Sequence, residues 1–222
     1  MSPWKAVASL YLLMMIINLV SGGVMVLLIW GVAGARPREV RFHTGPSLFA
    51  FQWRGVRWSF SPLFGGTALN FEPEQVDAEG VEENVYTRLP LPHRLLSVVS
   101  TFLGMLLLAL VCLSPSRGLA STLSGFPQLL NVFDARERVL GFLLRLETEG
   151  FWVALGVLSA KLTAFNLLPF PPLAGYQLLF EFWRPRRVNS LIIGVGSGVM
   201  FVLLLVWVVS IIGGLLSLRA QG

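Results

Sequence analysis

Long apolar stretches alternate with polar, aromatic-rich segments along this chain. Apolar residues dominate Ala6–Val32, Leu95–Leu113, Phe151–Leu168 and Val188–Leu215. A helix needs roughly 20 such residues to cross a hydrocarbon core of about 30 Å, so the pattern predicts four transmembrane helices at about 6–32, 95–113, 151–168 and 188–215. Lys5 ahead of the first stretch gives it the look of a secretion signal. Its apolar run exceeds a signal's, and no small-x-small cleavage site closes it, so it is read as a retained helix. Between helices one and two, over about 38–71, aromatic and β-branched residues alternate with polar ones. Gly45-Pro46, Arg54-Gly55 and Gly65-Gly66 punctuate that stretch, a strand-and-hairpin pattern.

Three further segments complete the pattern. Glu72–Thr87 is acidic and poor in core formers, which predicts an exposed loop. Pro90 and Pro92 set an extended entry into helix two. Between helices two and three, the stretch 126–147, FPQLLNVFDARERVLGFLLRLE, repeats its apolar residues at helical spacing. It is expected to lie in the membrane interface on the non-cytoplasmic side.

Composition agrees with a membrane protein. The chain is 55% hydrophobic and 13% charged over 222 residues, too apolar for an ordinary soluble domain of this size, and no segment is large enough to fold apart from the bilayer. Arginine placement gives an orientation. Arg36, 38, 41, 54, 57, 88 and 94 lie between helices one and two, and Arg184, 186 and 187 between helices three and four. These ten exceed the six basic residues of the opposite side (Lys5, Arg117, Arg136, Arg138, Arg145, Arg219), so the two Arg-rich loops are cytoplasmic and both termini non-cytoplasmic. The net charge of +5 suits anionic lipid headgroups. Nucleic-acid binding is excluded because the arginines are not gathered on one soluble module. Cys112 stands alone in an apolar helix, so there is no disulfide framework. Trp4, Trp53, Trp58 and Trp183 fall near predicted boundaries, as interfacial anchors do.

The third apolar stretch ends on Asn166-Leu-Leu-Pro169-Phe-Pro171-Pro172-Leu-Ala174-Gly175. Pro169 removes a backbone donor and obstructs the preceding turn, so the helix must end or kink, and its freed carbonyls need partners in protein or a wet cavity. A helix that unwinds at membrane depth commonly builds a site.

These residues resemble the N-x-x-P-x-P-x-x-D-G signature of the site-2 proteases, intramembrane zinc metalloproteases, with Asn166, Pro169, Pro171 and Gly175 in register. The segment VRFHTGPSLFAFQWRGVRWSFSPLFGG looks like the family's membrane-associated β-hairpin, and RLPLPHRLLSVVSTFLGMLLLALV like the entry to its second core helix, with Ser100-Thr101-Phe102 where the family carries Ala-Gly-Pro. The resemblance covers nearly the whole chain and implies a single site-2-protease-like membrane domain over 1–222, without the PDZ domains of larger relatives. It also implies a zinc centre held by H-E-x-x-H on the first core helix plus the Asp of the D-G pair, with the Glu as general base. Counting back from Gly45-Pro46 places that window on Gly22-Gly23-Val24-Met25-Val26, and the Asp position is Ala174. Gly22, Gly23, Val26 and Ala174 offer no ligand and no base. No metal and no cofactor are expected.

Other candidates carry less chemistry. Lys161 lies ten residues into helix three, where a lysine must snorkel, make a local bond or pair with a partner's carboxylate. His43 and His93 are the only histidines and lack carboxylates at ligand spacing. Asp134 and Glu137 alternate with Arg136 and Arg138 as on a salt-bridged, solvated face. No serine, cysteine or threonine nucleophile stands near a base in a recognisable arrangement. Small residues at Gly194–Gly198 and at Gly22-Gly23 permit close helix approach. The former cleft is therefore either collapsed or widened into a slot for another protein's helix.

The expected fold class is an all-α integral membrane protein of four transmembrane helices, with a membrane-associated β-hairpin after helix one. The expected function is that of a catalytically inactive pseudoprotease, a subunit, scaffold or regulator binding another integral membrane protein or transmembrane peptide, in the bacterial inner membrane and in contact with lipids. Asn166, Pro169, Pro171, Gly175, Lys161, Trp58 and Phe60 are the expected partner-binding residues. The alternatives are an active intramembrane zinc metalloprotease with atypical ligands, and a transport or lipid-binding role for the broken helix.

Overall fold

The computed structural model describes residues 2–71, 73–76, 82–84, 89–171, 173–183 and 190–220. The chain divides into two compact units, Met15–Gly104 and Met1–Met14 with Met105–Gly222, called the sheet unit and the helical unit.

In the sheet unit, which takes α1 (Pro3–Val26) from Met15 onward, that helix widens at its end into a π-helical turn, Leu27–Val32. The Ala33 amide accordingly reaches back to the Leu28 carbonyl at 2.9 Å and that of Ala35 to Ile29 at 3.1 Å. Four strands follow, β1 (Glu39–Thr44), β2 (Phe49–Trp53), β3 (Val56–Phe60) and β4 (Leu63–Asn70). The expectation of a lone hairpin is corrected. The strands form one mixed sheet in the order β2-β3-β1-β4, with β1 and β3 parallel and both outer pairings antiparallel. A hairpin is present as β2–β3. Its two-residue turn, Arg54-Gly55, holds both residues at positive φ, 51° and 71°, the geometry that matches strand twist.

The parallel pairing has a physical reason. It sets Val40 opposite Trp58 and Phe42 opposite Phe60, so that one face of the sheet is apolar. That face packs with Val26 of α1, burying Val40, Phe42 and Val56 beneath Trp30, Trp58, Phe60 and Leu69. The other face carries Glu39, Arg41, Arg57 and Ser59.

The predicted acidic loop is also corrected in part. β5 (Pro73–Val76) pairs antiparallel with β6 (Glu82–Asn84), a short ladder that satisfies backbone groups without needing a core. The remainder of the Glu72–Thr87 stretch, like the Arg184–Arg187 loop, lies outside the described residues. The sheet unit closes with the start of α2 (Leu91–Leu113), which runs tight against α1. Ser21 donates to the Thr101 carbonyl at 3.0 Å, and Gly104 meets the Ser21 backbone where any side chain would collide.

The helical unit holds the end of α2 and then α3 (Pro115–Leu130), a 3-10 turn (Val132–Asp134), α4 (Ala135–Thr148), α5 (Phe151–Asn166), α6 (Ala174–Trp183) and α7 (Ser190–Ala220). Pro115 denies α2 another amide, so the chain turns at Ser114 and α3 folds back. Gly118 rests against the Ala109 carbonyl, where an added Cβ would stand at 2.9 Å. The stretch 126–147 is not one continuous helix. It is divided between α3 and α4 at Asn131, and Val139 and Leu143 of α4 pack with Ala6, Leu10, Phe142, Trp207 and Leu215.

Among the described residues, three helical stretches are long and apolar enough to cross a membrane: Trp4–Val32, Leu91–Leu113 and Gly194–Leu216. Helix α5 has 16 residues, about 24 Å of rise, and its buried face is Ala154, Leu155, Gly156, Ser159, Ala160, Thr163 and Ala164. These residues, mostly small, let α2 and α3 close on it. A Cβ on Gly156 would meet Cys112 Cβ at 2.8 Å, and one on Gly125 would meet Ala164 Cβ at 2.6 Å.

Candidate functional site

The window Gly22–Val26 belongs to the sheet unit. Gly22 is buried on the side of α1 that faces the sheet, and the sheet fills the space beside it. Thr67 Oγ1, from β4, stands where a side chain on Gly22 would begin, and the Phe42 ring of β1 would lie 2.7 Å from an added Cβ. Thr67 is held there by a bond from its hydroxyl to the Asn18 carbonyl, 3.4 Å, one helical turn before Gly22. Val26 belongs to the apolar core with Val40, Phe42 and Val56. Gly23 has nothing within 4 Å of a Cβ position.

His43 adds a second link. It is buried on β1 at φ 66°, and Asn18 Nδ2 donates to its Nδ1 at 3.3 Å. An amide nitrogen only donates, so His43 Nδ1 accepts in this pair. The helix turn ahead of Gly22 is thus tied to the sheet through both Asn18 and Thr67. On the polar face, Ser59 Oγ and Asn70 Nδ2 donate to Glu39 at 3.0 and 3.1 Å, and Arg41 Nη2 at 3.2 Å. Burial alone pushes this carboxyl up, but the three donors and the Arg41 charge outweigh it and hold Glu39 below the ordinary carboxylate value.

The Asn166–Gly175 segment belongs to the helical unit. Asn166 ends α5 with its Nδ2 donating to the Leu162 carbonyl at 2.9 Å and lying 3.6 Å from Met105 Sδ. The chain is then non-helical over 167–171 and at Leu173. Leu168 and Leu173 are buried with Met200 and Leu203 of α7, under Phe126, Val132, Phe165, Phe170 and Trp207. Pro171 is buried against Gly196 of α7, whose Cβ would meet its ring at 2.6 Å, whereas Pro169 is exposed. Gly175 is required. A side chain there would run into the Leu167 carbonyl and meet that of Leu168 at 2.6 Å. Ala174 is buried at the first position of α6, a helix the sequence pattern had not marked.

The remaining predicted site residues are placed as follows. Lys161 Nζ donates to the Ser121 carbonyl at 2.8 Å and to Ser124 Oγ at 2.9 Å, both on α3. Trp58 and Phe60 lie on interior strand β3, stacked with Phe51 and Phe42 at 6.3 and 4.8 Å. The exposed members of the aromatic face are on edge strand β2, where Phe49 is 58% and Trp53 51% exposed. Sequence reasoning read Trp53 as an interfacial anchor alone and missed Phe49, Thr67, Phe42 and Asn18. The alternation of Phe49, Phe51 and Trp53 was the available signal for the β2 residues.

A zinc centre of the kind implied for Gly22, Gly23, Val26 and Ala174 does not fit these residues. None offers a nitrogen, oxygen or sulfur side-chain donor, and the place beside Gly22 is taken by Thr67 and Phe42. Among the described residues, no three His, Cys, Asp or Glu side chains come together.

The model of peptidase family M50 matches residues 31–207, a stretch that includes the Asn166–Gly175 segment and begins after the Gly22–Val26 window. No curated protein matches the chain. The chain belongs to peptidase family M50, a family of membrane-embedded metalloproteases, and is an integral membrane protein.

Proposed function

We propose that this member of peptidase family M50 is a pseudoprotease, a non-catalytic subunit, scaffold or regulator that holds another integral membrane protein. The observation that carries the reading is the filling of the Gly22 position from the sheet. A relative that binds zinc needs an imidazole there, and this chain has a glycine against which Thr67 and Phe42 are packed. With Val26 in the apolar core and Ala174 buried at the start of α6, neither ligands nor a general base for a metal-bound water are supplied.

In this reading α5 is the fourth span, the protein sits in a bacterial inner membrane, and both termini are non-cytoplasmic. The partner is gripped through edge strand β2, whose outer edge has no strand partner among the described residues and suits strand addition, and through the exposed side of the Asn166–Gly175 segment at Pro169. Isolation of the intact complex in mild detergent, followed by mass spectrometry, tests this. A second membrane subunit retained in fixed ratio supports the proposal. Chelator-sensitive cleavage of a co-isolated membrane protein contradicts it.

A further inference from the structure

Two arginines and two tryptophans of the sheet unit form one continuous patch. Arg36 donates from Nη2 to the Arg54 carbonyl, and its guanidinium carbon lies 5.9 Å over the Trp30 ring. Arg54 covers Trp53 at 5.0 Å, and the two indoles meet edge to face at 6.2 Å. Gly55 makes the approach of Arg36 possible, since a Cβ there would collide with its Nη2. Arg36, Arg54 and Trp53 are all exposed.

The charges of this patch have no counterion among the described residues. Glu39, the acidic residue of β1, is taken by Arg41, Ser59 and Asn70. The Arg36 Nη2 bond to the Arg54 carbonyl puts two cationic residues in one patch, which suits an anion. The location says which anion. Trp30 is two residues from the end of the apolar span Trp4–Val32, so the patch sits where that span leaves the hydrocarbon, at the depth of lipid phosphates. A guanidinium offers paired N–H donors that match two phosphate oxygens, and it stacks on aromatic faces.

We propose that this patch binds the headgroup of an anionic phospholipid, with its phosphodiester between Arg36 and Arg54 and its upper acyl region against Trp30 and Trp53. A zwitterionic headgroup is a poorer occupant, because it brings its own cation to two guanidiniums that have no counterion among the described residues.

The test titrates the full-length protein, in detergent, with phosphatidylglycerol, with phosphatidylcholine of the same acyl chains, and with inorganic phosphate, scoring bound lipid by native mass spectrometry. Phosphatidylglycerol is retained over phosphatidylcholine, and Arg54→Gln weakens it about fivefold, the loss of one surface arginine's attraction. Arg57→Gln removes the same charge from the opposite face of the sheet and leaves binding unchanged. Arg54→Gln keeps the backbone carbonyl that Arg36 uses, and an unchanged unfolding midpoint confirms that the fold survives. If that midpoint falls, Arg54→Lys replaces it, with a smaller loss expected because the charge remains without the fork. Equal affinity for the two lipids, an equal loss in Arg57→Gln, full displacement of lipid by inorganic phosphate, or undiminished binding in the Arg54 variants would each overturn the proposal.

Discussion

Thr67 of β4 occupies the position in which a side chain on Gly22 of α1 would begin. The two residues are 45 apart in sequence, and their contact decides what the first helix can carry. Neighbouring Gly23 has open space around its own Cβ position, so the pair of glycines provides an internal control. Gly22→Ala forces Thr67 and Phe42 to move and is expected to destabilise the protein by about 1–3 kcal/mol. Gly23→Ala is expected to be neutral or stabilising by up to about 1 kcal/mol, from helix propensity. Thermal unfolding in one detergent reads the difference as a lowered midpoint for Gly22→Ala alone.

Glu39 gives the sheet a pH dependence of known sign. Its carboxyl is held below the ordinary value by Asn70, Ser59 and Arg41 against the opposing effect of burial. A group depressed on folding stabilises fully above its unfolded value, about 4.3 for Glu, and that contribution disappears as pH falls through the folded value. Glu39→Gln is expected to cost about 1–3 kcal/mol at neutral pH. The gap between wild type and variant should narrow in unfolding curves recorded below about pH 4.

Lys161 and Gly125 act differently on one helix contact. Lys161 Nζ bonds to Ser121 and Ser124 of α3, yet a half-buried ammonium in an apolar helix is costly. Lys161→Met is expected to change stability by less than about 1.5 kcal/mol. Gly125→Leu drives a side chain into Ala164 Cβ and is expected to cost about 3 kcal/mol. The Lys161 variant also tests the partner-binding role, because co-isolation of a second subunit should weaken if the ammonium pairs with a partner's carboxylate.

The motif glycine makes the strictest local demand. Gly175→Ala meets two backbone carbonyls, of Leu167 and Leu168, which cannot move without rebuilding the unwound turn. A loss of about 3 kcal/mol is expected, with the Asn166–Gly175 segment becoming cleavable by an added soluble protease.

The parts of the fold set by local chemistry were legible in the sequence. Helix α1, helix α2, the break after Asn166 and the Arg54-Gly55 turn follow from apolar run length, proline and positive φ. The parts set by long-range pairing were not. Nothing in the spacing of β1 and β3 tells a parallel pair from a hairpin, because both place Val40 and Phe42 on the same face. The division of 126–147 at Asn131 and the start of α6 at Ala174 depend on what those segments pack against, Leu215 for α4 and Leu168 for the unwound turn's cluster. In the candidate site, missing donors could be read residue by residue. That Thr67 and Phe42 stand beside Gly22 could not, since that contact exists only once β1 and β4 are paired.

Whether the Gly22–Val26 window and Ala174 can hold a metal is decided by the zinc stoichiometry of the purified protein. The protein is purified in mild detergent with its affinity tag removed, incubated with zinc, freed of excess, and analysed for metal. No zinc above trace is expected, with or without prior chelation. One zinc per chain, released by a chelator and restored on re-addition, would contradict that expectation.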